Sequence, residues 1–217
     1  MPDGANYSFV FWVFLDDYNQ AKLGAIDDAF LIVPNEIKIF NDGGTLKVYC
    51  DGSSSNNVAK SGAFAANGWY HVAVVYDGGE TGNTNRIKFY KNGDLLTASS
   101  NAGTVPATLG STSKYLRIGS DHVWVTNALT GTIDEISMWN ASLTDAQVLA
   151  LYNSGLPLNA TKRAAASNLH GYWRNNHLNS DGKWEDLSAN TFHATVTESG
   201  TVYSFFQEGI SANLDSQ

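Results

Sequence analysis

The sequence predicts an all-β protein, a two-sheet antiparallel β-sandwich with one short helix. Two runs, YSFVFWVFL (7–15) and WYHVAVVYD (69–77), are apolar at odd and even positions alike, as strands covered on both faces are. Short runs of the same kind recur along the chain, separated by turn signals such as Pro34-Asn35, Asn41-Asp42-Gly43-Gly44 and Asn92-Gly93. One stretch, 131–155, changes midway from the period of a strand to that of a helix.

Taken in order, 7–15 is a central strand, followed by the acidic loop Asp16-Asp17-Tyr18-Asn19. Strands are expected at 29–33, 36–40 and 45–50, and DGSSSNN (51–57) reads as a polar loop or hairpin end. After strand 69–77 and a polar loop at 78–85, residues 86–90 and 94–98 form a hairpin about Asn92-Gly93, which supplies the positive φ such turns need. Residues 99–114 form a Ser-, Gly-, Thr- and Ala-rich connection, 115–119 a strand and 120–130 a loop. In the strand that ends at Trp139, strict alternation puts Ile133, Glu135, Ser137 and Trp139 on one face and Asp134, Ile136 and Met138 on the other. Thr144 then caps the helix, Gln147 completes a capping box, Asp145 suits the helix dipole, and Leu143 and Val148 are spaced as a hydrophobic staple. Val148, Leu151 and Tyr152 form its apolar stripe, and Gly155 with Pro157 stops it. A polar connection (159–168) leads to strand-like runs in 169–174, 183–188, 191–197 and 203–206, and the tail 207–217 is expected to be flexible.

The 217 residues suffice for one large β-domain with a buried core. A charged fraction of 16% beside 12% aromatics excludes a disordered chain or a coiled coil. With a net charge of −8 and 13 scattered Lys and Arg, nucleic acid is not expected as a partner. Acidic loops would suit Ca²⁺, although acidity also serves solubility alone. Cys50 is the single cysteine, which excludes an intramolecular disulfide, and it reads as a small buried hydrophobe. The apolar run 7–15 is too short to cross a bilayer and follows Asp3 rather than a basic segment. It is a strand, so no membrane insertion is expected. A protein of this kind found outside the cell would have lost its export signal or left by lysis.

Several motifs carry a family resemblance. WYHVAVVYDG (69–78), IKFYKNG (87–93), LRIG (116–119), GTIDEISMWN (131–140) and LTDAQVLALYNSG (143–155) resemble the successive strands of laminin-G-like domains, in that order, over roughly residues 7–157. These domains belong to the concanavalin A-like lectin/glucanase superfamily, together with pentraxins. The resemblance implies a jelly roll for residues 1–157. A segment like LHGYW…DLSANTFHATV (169–196) precedes the first core strand in many relatives but comes last here. Residues 158–206 are therefore expected to fold back and complete the same sandwich, the alternative being the start of a second domain. This late segment also resembles members carried by bacteriophages.

Superfamily enzymes that cut β-glucans place carboxylates two residues apart on one strand face. None of Glu36, Glu80, Glu135, Glu185, Glu198 or Glu208 lies in such a run, and alternation sends Asp134 and Glu135 to opposite faces, so no catalytic residue is assigned. The five histidines lack metal-ligand spacing, and His71 within a core strand reads as a satisfied structural residue. Trp12, Trp69 and Trp139 lie in strands and read as core. Relatives often hold a structural calcium at the position of Asp134, so Asp134 is either a Ca²⁺ ligand, with Asp16 and Asp17 as further donors, or a cap for neighbouring backbone. The loop SDHVWVTNAL (120–129) stands where pentraxins carry calcium-ligating acids. There Trp124 either stacks on a sugar ring, with Asp121, His122 and Asn127 as hydrogen-bonding partners, or folds onto the sandwich rim. The expected role is non-catalytic recognition on an extracellular or virion surface, binding a glycan or a surface protein. The alternatives are a structural virion component packed on other subunits or on copies of itself, and a glycoside hydrolase or lyase.

Overall fold

A computed structural model of the protein describes residues 4–15, 28–50, 53–60, 63–65, 67–109, 115–120, 128–163 and 165–195. Its strands are β1 (Asn6–Leu15), β2 (Asp28–Val33), β3 (Ile37–Asp42), β4 (Thr45–Cys50), β5 (Ser53–Lys60), β6 (Gly68–Asp77), β7 (Ile87–Lys91), β8 (Asp94–Leu96), β9 (Ser99–Ala102), β10 (Arg117–Ile118), β11 (Gly131–Trp139), β12 (Leu169–Leu178) and β13 (Trp184–Asp186). They form a seven-stranded sheet, β13-β12-β11-β1-β6-β7-β8, and a six-stranded sheet, β10-β2-β3-β4-β5-β9. Every pairing is antiparallel.

β1 and β6 lie side by side inside the seven-stranded sheet, which explains why both are apolar on both faces. Tyr7, Phe9, Phe11, Val13 and Leu15 point between the sheets, where they meet Ile39, Leu46 and Val48 of the other layer. Cys50 is buried in the same core. Val10, Ala73 and Val75 point outward into a second apolar cluster. That cluster is roofed by Val148 and Leu151 of the helix α2 (Asp145–Tyr152) and by Ala160 and Ala165 of the chain that follows it. Thr144 and Gln147 form the full capping box, and Leu143 and Val148 are both buried beneath it. The helix ends earlier than the Gly155 signal suggests: Asn153 takes the left-handed C-cap at φ 50°. Asn tolerates that conformation, so the chain does not need to reach the glycine.

The chain after α2 returns across the outer face to β12, which pairs with β11, and β13 pairs with β12. Both strands therefore lie in the sheet that holds β1. The expected strand at 203–206 and the tail 207–217 lie outside the described residues.

Three segments read from sequence as loops contain regular structure. Residues 53–57 belong to β5, paired with β4, and 99–102 form β9 on the edge beside β5. Their Ser- and Asn-rich composition hides a strand that is imposed by pairing rather than propensity. Within the polar loop after β6 there is a one-turn helix, α1 (Asn83–Arg86). At Lys91–Asp94 the expected Asn-Gly turn is present, with φ 52° at Asn92 and 85° at Gly93.

A candidate recognition rim

One rim of the sandwich gathers several chain ends. Leu15 at the end of β1 pairs with Gly131 on one side and Gly68 on the other. Asn67 N donates to Leu15 O at 2.8 Å. At the same rim, Gly119 N donates to Phe30 O (2.9 Å) and Leu129 N donates to Gly119 O (2.8 Å). These two bonds hold residues 119 and 129 together, and Ile118 and Leu129 pack on the inter-sheet core. Asp121, His122, Trp124 and Asn127, and likewise Asp16 and Asp17, lie outside the described residues.

Asp134 is described, and its surroundings answer to a bulge in β11. Val10 faces Ser137 and Trp12 faces Asp134, so two residues, Glu135 and Ile136, oppose Phe11 alone. Glu135 sits at φ 50°, unusual for a side chain of its size. The extra residue resets the alternation. Ile133 joins Ile136 and Met138 in the inter-sheet core instead of sharing a face with Ser137 and Trp139. Asp134 and Glu135, which strict alternation would split, both turn to the outer face. Asp134 Oδ1 accepts from Glu135 N (2.7 Å) and from Asn175 N (2.9 Å). It therefore caps backbone on both β11 and β12. Among the described residues no group of three His, Cys, Asp or Glu side chains could hold a metal ion.

Glu135 is buried and contacts Tyr172 and Arg174 of β12: the Tyr172 hydroxyl donates to Oε2, and Arg174 Nε donates to Oε1 at 2.8 Å. Burial pushes the carboxyl up to about 7, outweighing the opposite pull of the Tyr172 hydroxyl and the Arg174 guanidinium, while Asp134 adds a smaller upward push. The same contact raises the Arg174 pKa despite its burial, so the pair titrates at the carboxylate. Such a carboxyl has the pKa of a general acid, but it is buried and both its oxygens are engaged by Tyr172 and Arg174. The arrangement ties β12 to β11.

Two aromatic residues sit differently from expectation. Trp12 and Trp139 are buried, but Trp69, at the start of β6, is 37% exposed. Its ring lies against Phe14, centroids 5.7 Å apart and planes tilted by 52°. His71 is buried between Trp12 and Tyr152, and its Nδ1 has no hydrogen-bond partner. Desolvation lowers its pKa to about 4, so it is a neutral residue with one ring nitrogen left unpaired. The sequence signal for Trp69 was its position: an aromatic next to Gly68 at the first turn of a strand lies at the rim, where burial is incomplete.

Comparison with known proteins agrees with this architecture. A crystal structure of a putative carbohydrate binding protein from Bacteroides ovatus aligns with a TM-score of 0.63 at 16% identity, covering 86% of this chain and 50% of that one. The chain thus spans about half the length of that protein. A heptameric SAP-like pentraxin from Limulus polyphemus aligns with a TM-score of 0.50 at 17% identity, covering 70% of this chain and 71% of that one. A mutant Trypanosoma rangeli sialidase with trans-sialidase activity aligns at 0.49 and 16% identity over 69% of this chain and 23% of its own, too weakly to carry an argument. At these identities the likeness shows the fold alone. No curated protein matches the chain. A laminin-G family model matches residues 1–149, and by that match the chain belongs to the Concanavalin A-like lectin/glucanases superfamily.

Proposed function

We propose that this protein is a non-catalytic recognition module that binds a glycan through the rim where β1 ends and β11 begins. One observation carries the reading: the Leu129–Gly119 and Gly119–Phe30 bonds hold residues 119 and 129 together, and Ile118 and Leu129 pack on the inter-sheet core. Chain ends fixed on a rigid scaffold are where binding residues are commonly carried. The likeness to a carbohydrate binding protein supports a glycan as the ligand class. Asp121, His122, Trp124 and Asn127 are the residues we assign to contact, and the setting we favour is an extracellular or virion surface. The recessed Glu135 supports binding over hydrolysis, since this carboxyl, the one raised toward neutral pH among the described residues, is buried against Tyr172 and Arg174.

A glycan array probed with and without EDTA tests this. Retention of a defined set of glycans supports the reading. Loss of that retention in EDTA would add a calcium ion to the site. Absence of retention in both arms overturns it and leaves a structural role, for which the exposed Leu95, Leu149 and Leu156 offer a packing surface.

A further inference from the structure

We propose that Trp69 and Phe14 form a stacking platform for a pyranose ring, on the outer face of the seven-stranded sheet where it meets the rim. The inference rests on the glycan reading and adds a second contact surface to it.

The register defines the surface. Thr132, Phe14 and Trp69 stand opposite one another on β11, β1 and β6, forming one row. The row points outward, because its neighbours Val13 and Ile133 face the inter-sheet core. Directly behind it on the same face comes a second row of Asp134, Trp12 and His71. Adjacent strands lie about 4.8 Å apart, so Thr132 and Trp69 are separated by roughly 10 Å at the backbone.

Each part of this surface has the chemistry a sugar needs. The exposed ring of Trp69, held against Phe14, offers a flat apolar face for the C–H side of a pyranose. The platform is rigid, because both residues belong to paired strands and neither waits on a loop. Behind it, Trp12 is stacked on Tyr152 of α2 with ring centroids 6.0 Å apart, which supports the second row from above. Thr132 supplies a hydroxyl at one end of the row, and the Asp134 carboxylate stands beside it. These groups are a donor and acceptors suited to the hydroxyl rim of a sugar. Single exposed hydrophobics are ordinary on protein surfaces. Here an aromatic pair fixed on strands stands beside the Thr132 hydroxyl on its own row and the Asp134 carboxylate on the next, which is the composition of a carbohydrate subsite.

The test uses the full chain and an array of defined oligosaccharides of glucose, galactose, N-acetylglucosamine and uronic acids. Wild type, Trp69→Ala and Trp69→Phe are probed in parallel, with melting temperatures recorded. For every glycan held by wild type, Trp69→Ala should lose about tenfold or more in affinity, the equivalent of about 1.4 kcal/mol. Trp69→Phe should keep most of it. Equal binding by wild type and a folded Trp69→Ala overturns the platform and leaves the rim reading standing. No binding by wild type overturns both. If Trp69→Ala does not fold, oxidative footprinting of wild type replaces it: the best-bound oligosaccharide should protect Trp69 from oxidation, and an unprotected Trp69 in the saturated complex overturns the platform.

Discussion

Arg174 Nε lies 2.8 Å from Glu135 Oε1, joining β12 to the bulged residue of β11. Both side chains are almost wholly withdrawn from solvent. A buried pair of this kind adds little net stability over apolar packing, but breaking it strands a charge. Arg174→Met alone should cost about 3–5 kcal/mol in urea denaturation. The double variant Arg174→Met with Glu135→Leu should recover much of that loss. Equal loss in both would show that the ion pair is not what holds the strand.

The dependence of stability on pH follows from two groups that pull in opposite directions. His71 has its folded pKa lowered from 6.5 to about 4, so its contribution is complete above pH 6.5 and is lost as pH falls through 4. Glu135 is raised from 4.5 to about 7, so its contribution is complete below pH 4.5 and is lost as pH rises through 7. Between pH 4.5 and 6.5 the two partly cancel in the wild type. His71→Phe should therefore leave a stability that falls as pH rises across this window, and Glu135→Gln one that rises. Denaturation midpoints at half-unit steps of pH check both slopes.

Gly131 sits at φ 150°, and a Cβ there would come within 2.0 Å of Phe14 O. The backbone of β1 cannot yield without breaking its pairing with β6. Gly131→Ala should therefore cost about 3 kcal/mol or more, seen as a lowered melting temperature or loss of soluble protein.

The sandwich was legible because its signals are local and redundant. The doubly apolar runs marked β1 and β6, the Asn92-Gly93 turn marked a hairpin, and Thr144 with Gln147 marked the start of α2. Polar strands such as 53–57 were not legible, since pairing with β4 creates them. The faces of β11 were misread because a bulge carries no signature in periodicity: one extra residue at Glu135 moved Ile133 into the core and brought Asp134 and Glu135 to the same face. Burial of Trp69 was overestimated for a similar reason. Strand membership says which face a side chain takes, whereas exposure at a strand's end depends on what covers the rim.

A chain ending at residue 157 would lack β12 and leave one edge of β11 unpaired. It would also expose Trp139 and Val10 of the outer cluster and leave Glu135 without Arg174. Such a truncation should be insoluble or unfolded by circular dichroism. A soluble, cooperatively melting fragment would make residues 158–195 an accessory rather than part of the sandwich.

The central claim is recognition without turnover. Its most direct measurement is calorimetric titration of the best array-selected oligosaccharide, followed by mass spectrometry of the recovered sugar. Saturable binding and a sugar of unchanged mass after prolonged incubation are the expected result. Shortened products, or no heat with any glycan, would contradict it.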